Sequence, residues 1–345
     1  SLMNIIFKGR KALIASLVAG SGLLASCDSL IFDDRSGCAT SYTVSFRYEA
    51  NVLRSDAFGR QVTGVGLYGF DSSGELARQY HIARPRTAEN DFSIDLDLPA
   101  GRYGMLAWCT GTAAAADPVS FSISNAESPA ATGDLSASLP LEHASDGTLF
   151  SAHDIVPLFH GISTDIELPE KPGKVDVGPL YLIKDTNRFN IILQNMNGEE
   201  IDPGTFSFEI TGASSELSAD NTPSAPEAFS YRPWEVQQTA VSGVRADESR
   251  SGVVARLTTS RVMADSRQEV IVRIAGTAEE VIRFPLVDYL MLVKDHYSLL
   301  ETPQDYLDGV DEFTFSLFLE EGSTWAKARI FINGWRVVPK QESQM

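Results

Sequence analysis

The strongest constraint on the fold is an alternation of apolar and polar residues that recurs over short segments. Residues 42–48 read YTVSFRY, and residues 92–98 and 313–319 repeat the alternation. Successive side chains of a β-strand point to opposite faces of the sheet, so this pattern is typical of a strand with one buried face. Helical periodicity is almost absent, which indicates an all-β protein.

Turn residues separate the predicted strands. Residues 71–74, DSSG, join strands at 62–70 and 75–81 as a hairpin. Short strands joined by turns in this way predict antiparallel β-sandwiches. We expect one short helix at residues 285–296, where apolar residues recur at helical spacing and a proline occupies the first turn.

The length of the chain is sufficient for two domains that each bury a core. Residues 169–173 read PEKPG, a composition typical of a domain boundary. We therefore predict two tandem domains, an N-terminal β-sandwich at residues 38–175 and a C-terminal β-sandwich at residues 176–345.

The N-terminal region has the layout of a bacterial lipoprotein signal peptide. Basic residues within 8–11 precede an apolar run at 12–25, and the sequence Leu-Ala-Ser-Cys ends at Cys27. We expect residues 1–26 to be the signal peptide, Cys27 to carry the lipid, and residues 27–37 to form an acidic tether. An ordinary signal peptide with a chance cysteine is the alternative. A spanning helix is disfavoured, because the run is shorter than the roughly 20 residues that a bilayer requires.

The charge of the chain limits its partners. The formal net charge is −18, from 28 basic and 46 acidic residues. Nucleic acid and anionic lipid headgroups are bound through basic patches, so we expect neither as a partner. The acidity instead fits a soluble part that is exported from the cell.

Two cysteines remain to be placed if Cys27 is lipidated. Cys38 and Cys109 each share the strand phase of apolar neighbours, so both could face one interior. An exported protein meets an oxidising compartment, where such a pair can form a disulfide. Two unrelated buried thiols are the open alternative.

The sequence carries no motif of a catalytic site. It lacks a Gly-x-Ser-x-Gly elbow, a His-Glu-x-x-His helix and a phosphate-binding loop. The five histidines are scattered, and His153, Asp154 and His160 are the nearest approach to a cluster, on a stretch that fixes no ligand geometry. We therefore expect no catalytic residues, no metal site and no cofactor.

Groups of acidic residues have structural interpretations. Asp95 and Asp97 lie on the same side of one predicted strand, which is the normal composition of a solvent-facing side. The acidic residues Asp305, Asp308, Asp311 and Glu312 lack the spacing of a calcium-binding loop, so we interpret them as a solvated loop.

The tryptophans are either core residues or platforms for a ligand. Trp108 and Trp335 lie in predicted strands, and we interpret both as core residues. Trp234 follows a proline in a predicted loop, and its context suits a binding surface.

Several stretches resemble the FimB-type fimbrial anchor and assembly lipoproteins of Bacteroidales type V fimbriae. The resemblance begins at Cys27 and the acidic residues after it, and it is strongest in the second half of the chain. The stretches there are LYLIKDTNRFNIILQ at 180–194, TSR at 259–261, PLVDYL at 285–290, QDYL at 304–307 and INGW at 332–335. From Cys27 to residue 335, the resemblance covers nearly the whole chain after the signal peptide, and the stretches keep the order and spacing of the family.

The resemblance implies two transthyretin-like β-sandwich domains on a lipid anchor in the outer membrane. It implies a non-enzymatic subunit at the base of a fimbrium, which tethers the polymer through lipidated Cys27 and limits its length and assembly. The implied partners are the fimbrial shaft subunits, bound by addition of a β-strand to an open sheet edge.

The resemblance also bears on where the polymer is bound. Shaft subunits of this kind lose an N-terminal strand to a protease, whereas cleavage after Arg35, Arg47 or Arg54 would here separate the lipid from the fold. We therefore expect the first strand to stay in place and the polymer to contact another edge, within residues 330–338. The predicted contact residues are Ile330, Ile332, Trp335 and Val337.

A second function remains open from the sequence. A surface-exposed lipoprotein that binds glycan or host protein, as an adhesin or an accessory tip subunit, would use the same folds. The expected location is the outer membrane, with the folded part exposed at the cell surface. Asp28 after the lipidated cysteine would favour the inner membrane in proteobacteria, but the resemblance to Bacteroidales proteins favours the outer membrane.

Overall fold

A computed structural model describes residues 39–83, 91–224, 227–242, 249–320 and 325–337. The predicted signal peptide, Cys27 and Cys38 lie outside the described residues. From Thr40 onwards the chain forms one compact unit. The unit is built from short strands, and the prediction of an all-β sandwich fold is confirmed.

Thirteen strands precede residue 185. They are β1 Ser41–Arg47, β2 Gly64–Asp71, β3 Leu76–Ala83, β4 Ser93–Leu96, β5 Gly101–Thr110, β6 Ser122–Ile123, β7 Ser136–Ser138, β8 Glu142–His143, β9 Leu149–Ser151, β10 Leu158–Leu168, β11 Lys174–Asp176, β12 Leu180–Tyr181 and β13 Ile183–Lys184.

Eleven strands follow. They are β14 Thr186–Asn195, β15 Phe206–Thr211, β16 Glu216–Ser218, β17 Phe229–Tyr231, β18 Glu235–Ser242, β19 Ser249–Ser260, β20 Glu269–Ile274, β21 Glu280–Pro285, β22 Glu312–Leu319, β23 Trp325–Ile332 and β24 Trp335–Val337.

Helices are short and few in the described residues. They are α1 Phe58–Gln61, α2 Leu286–Met291 and α3 Pro303–Gly309, with 3-10 turns at Thr132–Asp134 and Lys294–His296. The predicted helix at 285–296 is present as α2 and the following 3-10 turn. The structure adds α3, which begins with a capping box between Thr302 and Asp305 and has Pro303 in its first turn. Within the described residues, no helix has the length and apolar composition that crossing a bilayer requires.

Strand β1 lies inside the first sheet of the N-terminal half. It pairs antiparallel with β4 on one side and parallel with β11 and β12 on the other. The second sheet has the antiparallel order β13-β10-β5-β2-β3. Val44 and Phe46 of β1 are buried between the sheets, and the Phe46 ring stacks on Phe58 of α1 with centroids 5.5 Å apart. Burial of each such side chain contributes about 2 kcal/mol.

Two six-stranded sheets enclose the largest core. Their orders are β18-β19-β14-β22-β23-β24 and β21-β20-β15-β17-β9-β8. Most ladders are antiparallel as predicted, but β14 pairs parallel with β22, and β17 pairs parallel with β9. Parallel neighbours require a long crossover, which the intervening strands and helices provide here.

Strand pairs cross the predicted domain boundary at residues 175 and 176. β12, after the boundary, pairs with β1, and β9, before it, pairs with β17. A third apolar cluster lies between the two larger cores and includes Phe70, Trp108 and Leu217. The interpretation of Trp108 as a core residue is therefore confirmed, since its exposed fraction is 4%.

A buried polar network joins distant segments of the C-terminal half, and Lys184 extends it across the boundary by donating to Gln61 Oε1 at 3.3 Å. Arg261 donates to both carboxylate oxygens of Asp308, at 2.8 and 2.7 Å, and to the Asn221 carbonyl oxygen at 2.7 Å. Asn221 in turn donates to the carboxyl of Asp185, and burial raises the pKa of Asp185 to about 8. Lys184 contacts Asp311 at 2.5 Å. The interpretation of the acidic residues near 308 as a solvated loop is therefore wrong, because Asp308 is buried opposite a cation.

Replacing Asp308 tests how much this network contributes to stability. Asp308→Asn leaves the buried Arg261 guanidinium without its counter-charge, so we expect the free energy of unfolding to fall by about 3–5 kcal/mol. The matched control is Asp97→Asn, which breaks the exposed Arg78–Asp97 pair and should cost less than about 1 kcal/mol. Urea unfolding of both variants measures the difference, and equal losses would contradict the assignment.

Candidate polymer-contact site

The C-terminal hairpin, β23 and β24, carries the predicted contact residues. The two strands are joined by Asn333 and Gly334, whose φ angles of 48° and 83° are those of a tight two-residue turn with left-handed backbone. Asparagine and glycine tolerate this conformation better than other residues do. The turn therefore sets the register in which Ile332 pairs with Trp335.

The side chain of Asn333 fixes this hairpin to two other elements. Its Oδ1 accepts from the backbone N–H of Thr314 in β22 at 2.7 Å. Its Nδ2 donates to the hydroxyl of Tyr297 at 2.9 Å, in the segment that follows α2. The hairpin is thus held in place by hydrogen bonds as well as by its strand pairing.

Trp335 lies at the surface and stacks on His296. The two ring centroids are 3.7 Å apart and the ring planes differ by 6°. Trp335 is 46% exposed, so the interpretation of this residue as core is wrong. The indole lies on an edge strand of three residues, where one face packs on His296 and the rest remains accessible.

The other predicted contact residues differ in their placement. Ile332 is fully buried in the core of the C-terminal sheets, so its side chain cannot reach a partner from this conformation. The backbones of Ile330 and Val337 pair with each other across the hairpin. Trp335 is therefore the predicted residue whose side chain the structure presents to solvent.

Exposed apolar side chains occur on three segments, of which the one around residues 292–299 contacts each of the other two. We call them the apolar surface, and they are Val52, Leu53, Leu292, Leu299 and Trp335. The backbone around Leu53 is linked to Leu299, since Arg54 Nε donates to the Leu299 carbonyl oxygen at 3.1 Å. Leu299 lies three residues after His296, on which Trp335 stacks. Grouped exposed apolar residues mark sites of interaction with other proteins.

Cationic groups flank the apolar surface on an otherwise acidic protein. The pKa of Asp305 lies below its usual range, first because the Thr302 N–H donates to its carboxylate at 3.0 Å. Arg54 and Lys294 add to this lowering by their positive charge. Asp295 and Glu301 are exposed in the same segment, so the charges beside the apolar surface are of both signs.

Trp234 lies beside a cleft on the outer side of the sheet that begins at β18. The cleft has a volume of about 380 Å³ and is also lined by Arg188, Asn190, Arg256 and Glu312. The indole Nε1 donates to Thr258 Oγ1 at 3.2 Å, which fixes the ring. Trp234 is thus partly exposed, as its loop context predicted, and no ligand role follows from its position alone.

The remaining polar candidates are held in structural contacts. Asp95 and Asp97 are exposed and pair with Lys174 and Arg78, so their interpretation as a solvent-facing side is confirmed. His160 is buried, which lowers its pKa to about 4, and its Nε2 lies 2.8 Å from the Ala219 carbonyl oxygen. Among the described residues, no three His, Cys, Asp or Glu side chains group as metal ligands.

Cys109 is a fully buried free thiol in the part of the chain that the structure describes. Burial in the N-terminal core raises the pKa of this thiol, which keeps it protonated at neutral pH. Because Cys38 lies outside the described residues, the pairing of Cys38 with Cys109 stays a prediction.

Sequence reasoning missed most of the apolar surface. Val52, Leu53 and Leu299 lie in short turn segments, where a single apolar residue carries no periodic signal. Exposure follows from how distant segments pack, so only the folded arrangement, in which Arg54 contacts the Leu299 backbone, identifies them.

Residues 35–339 match the protein family described as fimbrillin-A associated anchor proteins Mfa1 and Mfa2. The match begins eight residues after Cys27 and covers nearly all of the described chain. No protein with a curated description matches the sequence.

Solved structures share the fold. A putative adhesin from Bacteroides thetaiotaomicron is 25% identical and superimposes with a TM-score of 0.72, covering 86% of this chain and 96% of that one. A putative adhesin from Bacteroides ovatus is 22% identical, with a TM-score of 0.66 and coverages of 88% and 96%. The fimbrial anchor protein Mfa2 from Porphyromonas gingivalis is 17% identical, with a TM-score of 0.58 and coverages of 87% and 99%.

Replacing Asn333 tests whether its side chain holds the hairpin. Asn333→Ala removes two hydrogen bonds and puts in left-handed backbone a residue that tolerates this conformation less well than asparagine, so we expect a loss of about 2–3 kcal/mol in the free energy of unfolding. Asn333→Gly relieves the backbone strain but also lacks the hydrogen bonds, and it should lose about 1–2 kcal/mol. Urea unfolding measures both, and an unchanged stability in Asn333→Ala would refute the assignment.

Proposed function

Because the chain belongs to the family of fimbrillin-A associated anchor proteins, we propose that it anchors a type V fimbrium to the outer membrane. The lipid on Cys27 holds the chain in the membrane, the acidic tether at 27–37 places the folded unit at the cell surface, and that unit binds the base of the polymer. By occupying the base, the subunit limits the length and assembly of the fimbrium. The role is structural and involves no catalysis.

One observation carries this proposal. A lipidation sequence ends at Cys27, and the match to an anchor family begins at residue 35 and extends over the folded unit. A lipid attached directly ahead of a fimbrial family fold would give the chain the two parts that an anchor needs. The lipid attaches to the membrane, and the folded unit binds the polymer. Stable attachment needs more than one acyl chain, which a diacylated cysteine provides.

The way the tether enters the fold supports the same role. β1 follows the tether and has hydrogen-bonded neighbours on both sides, with Val44 and Phe46 buried. Removing β1 would open this sheet and expose its core. We propose that β1 stays in place in the mature protein, that the groove it fills stays closed, and that the chain between Cys27 and β1 is not cut.

We propose two elements of polymer binding. Shaft subunits add a β-strand to an open sheet edge of the C-terminal half, since main-chain hydrogen bonding gives affinity without a deep pocket. The C-terminal hairpin adds side-chain contacts through Trp335 and the rest of the apolar surface.

The second candidate is an adhesin or an accessory tip subunit that binds glycan or host protein. The putative adhesin from Bacteroides thetaiotaomicron, 25% identical, favours this candidate, as does the cleft beside Trp234. The position along the fimbrium separates the two functions. A tip subunit moves away from the membrane as the polymer grows, whereas a lipidated anchor cannot.

Removal of the lipidated thiol tests membrane attachment. In Cys27→Ala cells we expect the protein to leave the membrane fraction and to partition into the aqueous phase of a Triton X-114 extraction, because the acyl chains are lost. The matched control is Cys109→Ala, which removes a buried thiol and should leave the protein in the detergent phase. A Cys27→Ala protein that stays in the detergent phase would refute lipidation at this position.

Changing the apolar surface tests the side-chain contacts. Leu53→Ser combined with Trp335→Ala should lower the free energy of unfolding by about 1–3 kcal/mol, because Leu53 is largely exposed but Trp335 loses its stacking on His296. We expect these cells to shed a larger fraction of their fimbriae into the medium. The control is Tyr181→Ser, an exposed aromatic residue outside the apolar surface. Shedding at the control level in the double variant would exclude this surface as a contact.

A further inference from the structure

Strand β18 forms one edge of the sheet whose opposite edge is the C-terminal hairpin. It pairs with β19 in one unbroken register, from Glu235 opposite Arg256 to Ser242 opposite Ser249. Among the described residues, no strand pairs with the other side of β18. Backbone groups on that side are therefore available to a further strand.

The direction of the backbone groups follows from hydrogen bonds in the centre of the sheet. In an antiparallel ladder, residues that exchange both hydrogen bonds alternate with residues that exchange none. Arg188 of β14 donates its N–H to the Asp311 carbonyl oxygen, on the β22 side. The next residue, Phe189, therefore points its N–H and C=O towards β19, where it lies opposite Leu257.

The same alternation continues from β19 to β18. The backbone N–H and C=O of Leu257 point towards β14, so those of the neighbouring residue Arg256 point towards β18. In agreement, the Trp234 N–H donates to the Arg256 carbonyl oxygen at 3.0 Å. Glu235, opposite Arg256, is then hydrogen-bonded inwards. The residues whose backbone groups point away from the sheet are Val236, Gln238, Ala240 and Ser242.

The opposite edge of the sheet, β24, offers fewer backbone groups for pairing within the described residues. The tight turn at Asn333 and Gly334 makes Ile332 and Trp335 a hydrogen-bonded pair. Within β24, Trp335 and Val337 are therefore bonded inwards, and only Arg336 points its backbone outwards. Among the described residues, β18 thus offers four outward residues for main-chain pairing and β24 offers one.

Other long edges in the described chain carry features that discourage pairing. β21 ends at Pro285, has a register shift, and carries Arg283 in ion pairs with Glu269 and Glu280. β3 has a register shift and carries Arg78. By contrast, β18 contains no lysine, arginine or proline, and its one acidic residue, Glu235, contacts Arg256. Natural edge strands without such features are sites of strand addition.

We infer that the outer edge of β18 accepts an extended strand from a fimbrial shaft subunit. The inference rests on the proposed anchor function and names the edge that it uses. Val236 packs against the core of the C-terminal sheets, whereas Gln237, Gln238 and Ala240 are exposed, so the added strand would pair mainly through its backbone. A second copy of this chain is the disfavoured occupant, because each copy has a net charge of −18 and copies repel.

The inference is compatible with contacts at the apolar surface. β18 and β24 are the two outer strands of one six-stranded sheet, so they are about 24 Å apart at the usual strand spacing. A folded shaft subunit is large enough to place an extended segment on β18 and to contact Trp335 with another part.

A proline in β18 can block pairing with an added strand without preventing the chain from folding. Ala240→Pro keeps the β18–β19 hydrogen bonds, because the N–H that it removes points outwards, and proline is tolerated at such positions of edge strands. It removes one donor from the acceptor edge and places a ring there. The matched control Ala240→Val keeps the N–H and a strand-forming side chain.

We expect the fraction of fimbriae shed into the medium to be about tenfold higher in Ala240→Pro cells than in Ala240→Val cells. Equal shedding by the two variants, with both proteins membrane-bound and folded, would overturn the inference. Failure of the anchor function is distinguishable, since fimbriae would then also be retained by Cys27→Ala cells. If Ala240→Pro retains its fimbriae while Cys27→Ala sheds them, the anchor function stands and β18 is not the edge.

A second measurement applies if Ala240→Pro does not fold. Residue-resolved amide exchange of the full wild-type chain is compared with and without fimbriae collected from cells that lack this chain. We expect new protection at the outward residues Val236, Gln238 and Ala240, and little change at Gln237 and Thr239, which are already bonded to β19. No change at the outward residues, or protection from an added second copy of the chain instead, would overturn the inference.

Discussion

The rest of the structure depends on the position of β1 between β4 on one side and β11 and β12 on the other. An edge strand can be peeled away, but a strand with partners on both sides and a buried face cannot leave without opening the sheet. Tyr42, Val44 and Phe46 bury that face, and Phe46 stacks on Phe58. A force applied to the chain ahead of β1 would therefore act on an interior strand of the fold.

From β1 a continuous series of contacts leads to the C-terminal sheets. The β12 and β13 strands follow one another into β14, the central strand of the sheet with edges at β18 and β24. The Arg261–Asp308 and Lys184–Asp311 ion pairs connect β13, α3 and the segments after β19 and before β22 in the same region. Buried pairs of this kind hold a geometry even where they add little net stability. In the part of the chain that the structure describes, β1 and the C-terminal sheets are thus connected through paired strands.

Sequence reasoning predicted what depends on local pattern. The alternation at 42–48 and 313–319 placed β1 and β22, and the helical spacing after residue 285 placed α2. It did not predict the parallel pairing of β14 with β22, because strand order is decided by long-range packing. Asp308 and Trp335 were misjudged for a related reason. The Asp308 carboxylate is buried because the Arg261 guanidinium meets it, and Trp335 is exposed because its strand is an edge.

We propose that the chain itself holds the fimbrium on the cell, through its N-terminal tether and the sheet with edges at β18 and β24. The most direct test inserts the recognition sequence of a site-specific protease between Ser36 and Gly37 and treats living, fimbriated cells with that protease. The account predicts that the folded unit and intact fimbriae are released into the medium together. Release of the folded unit while the fimbriae stay on the cells would contradict it.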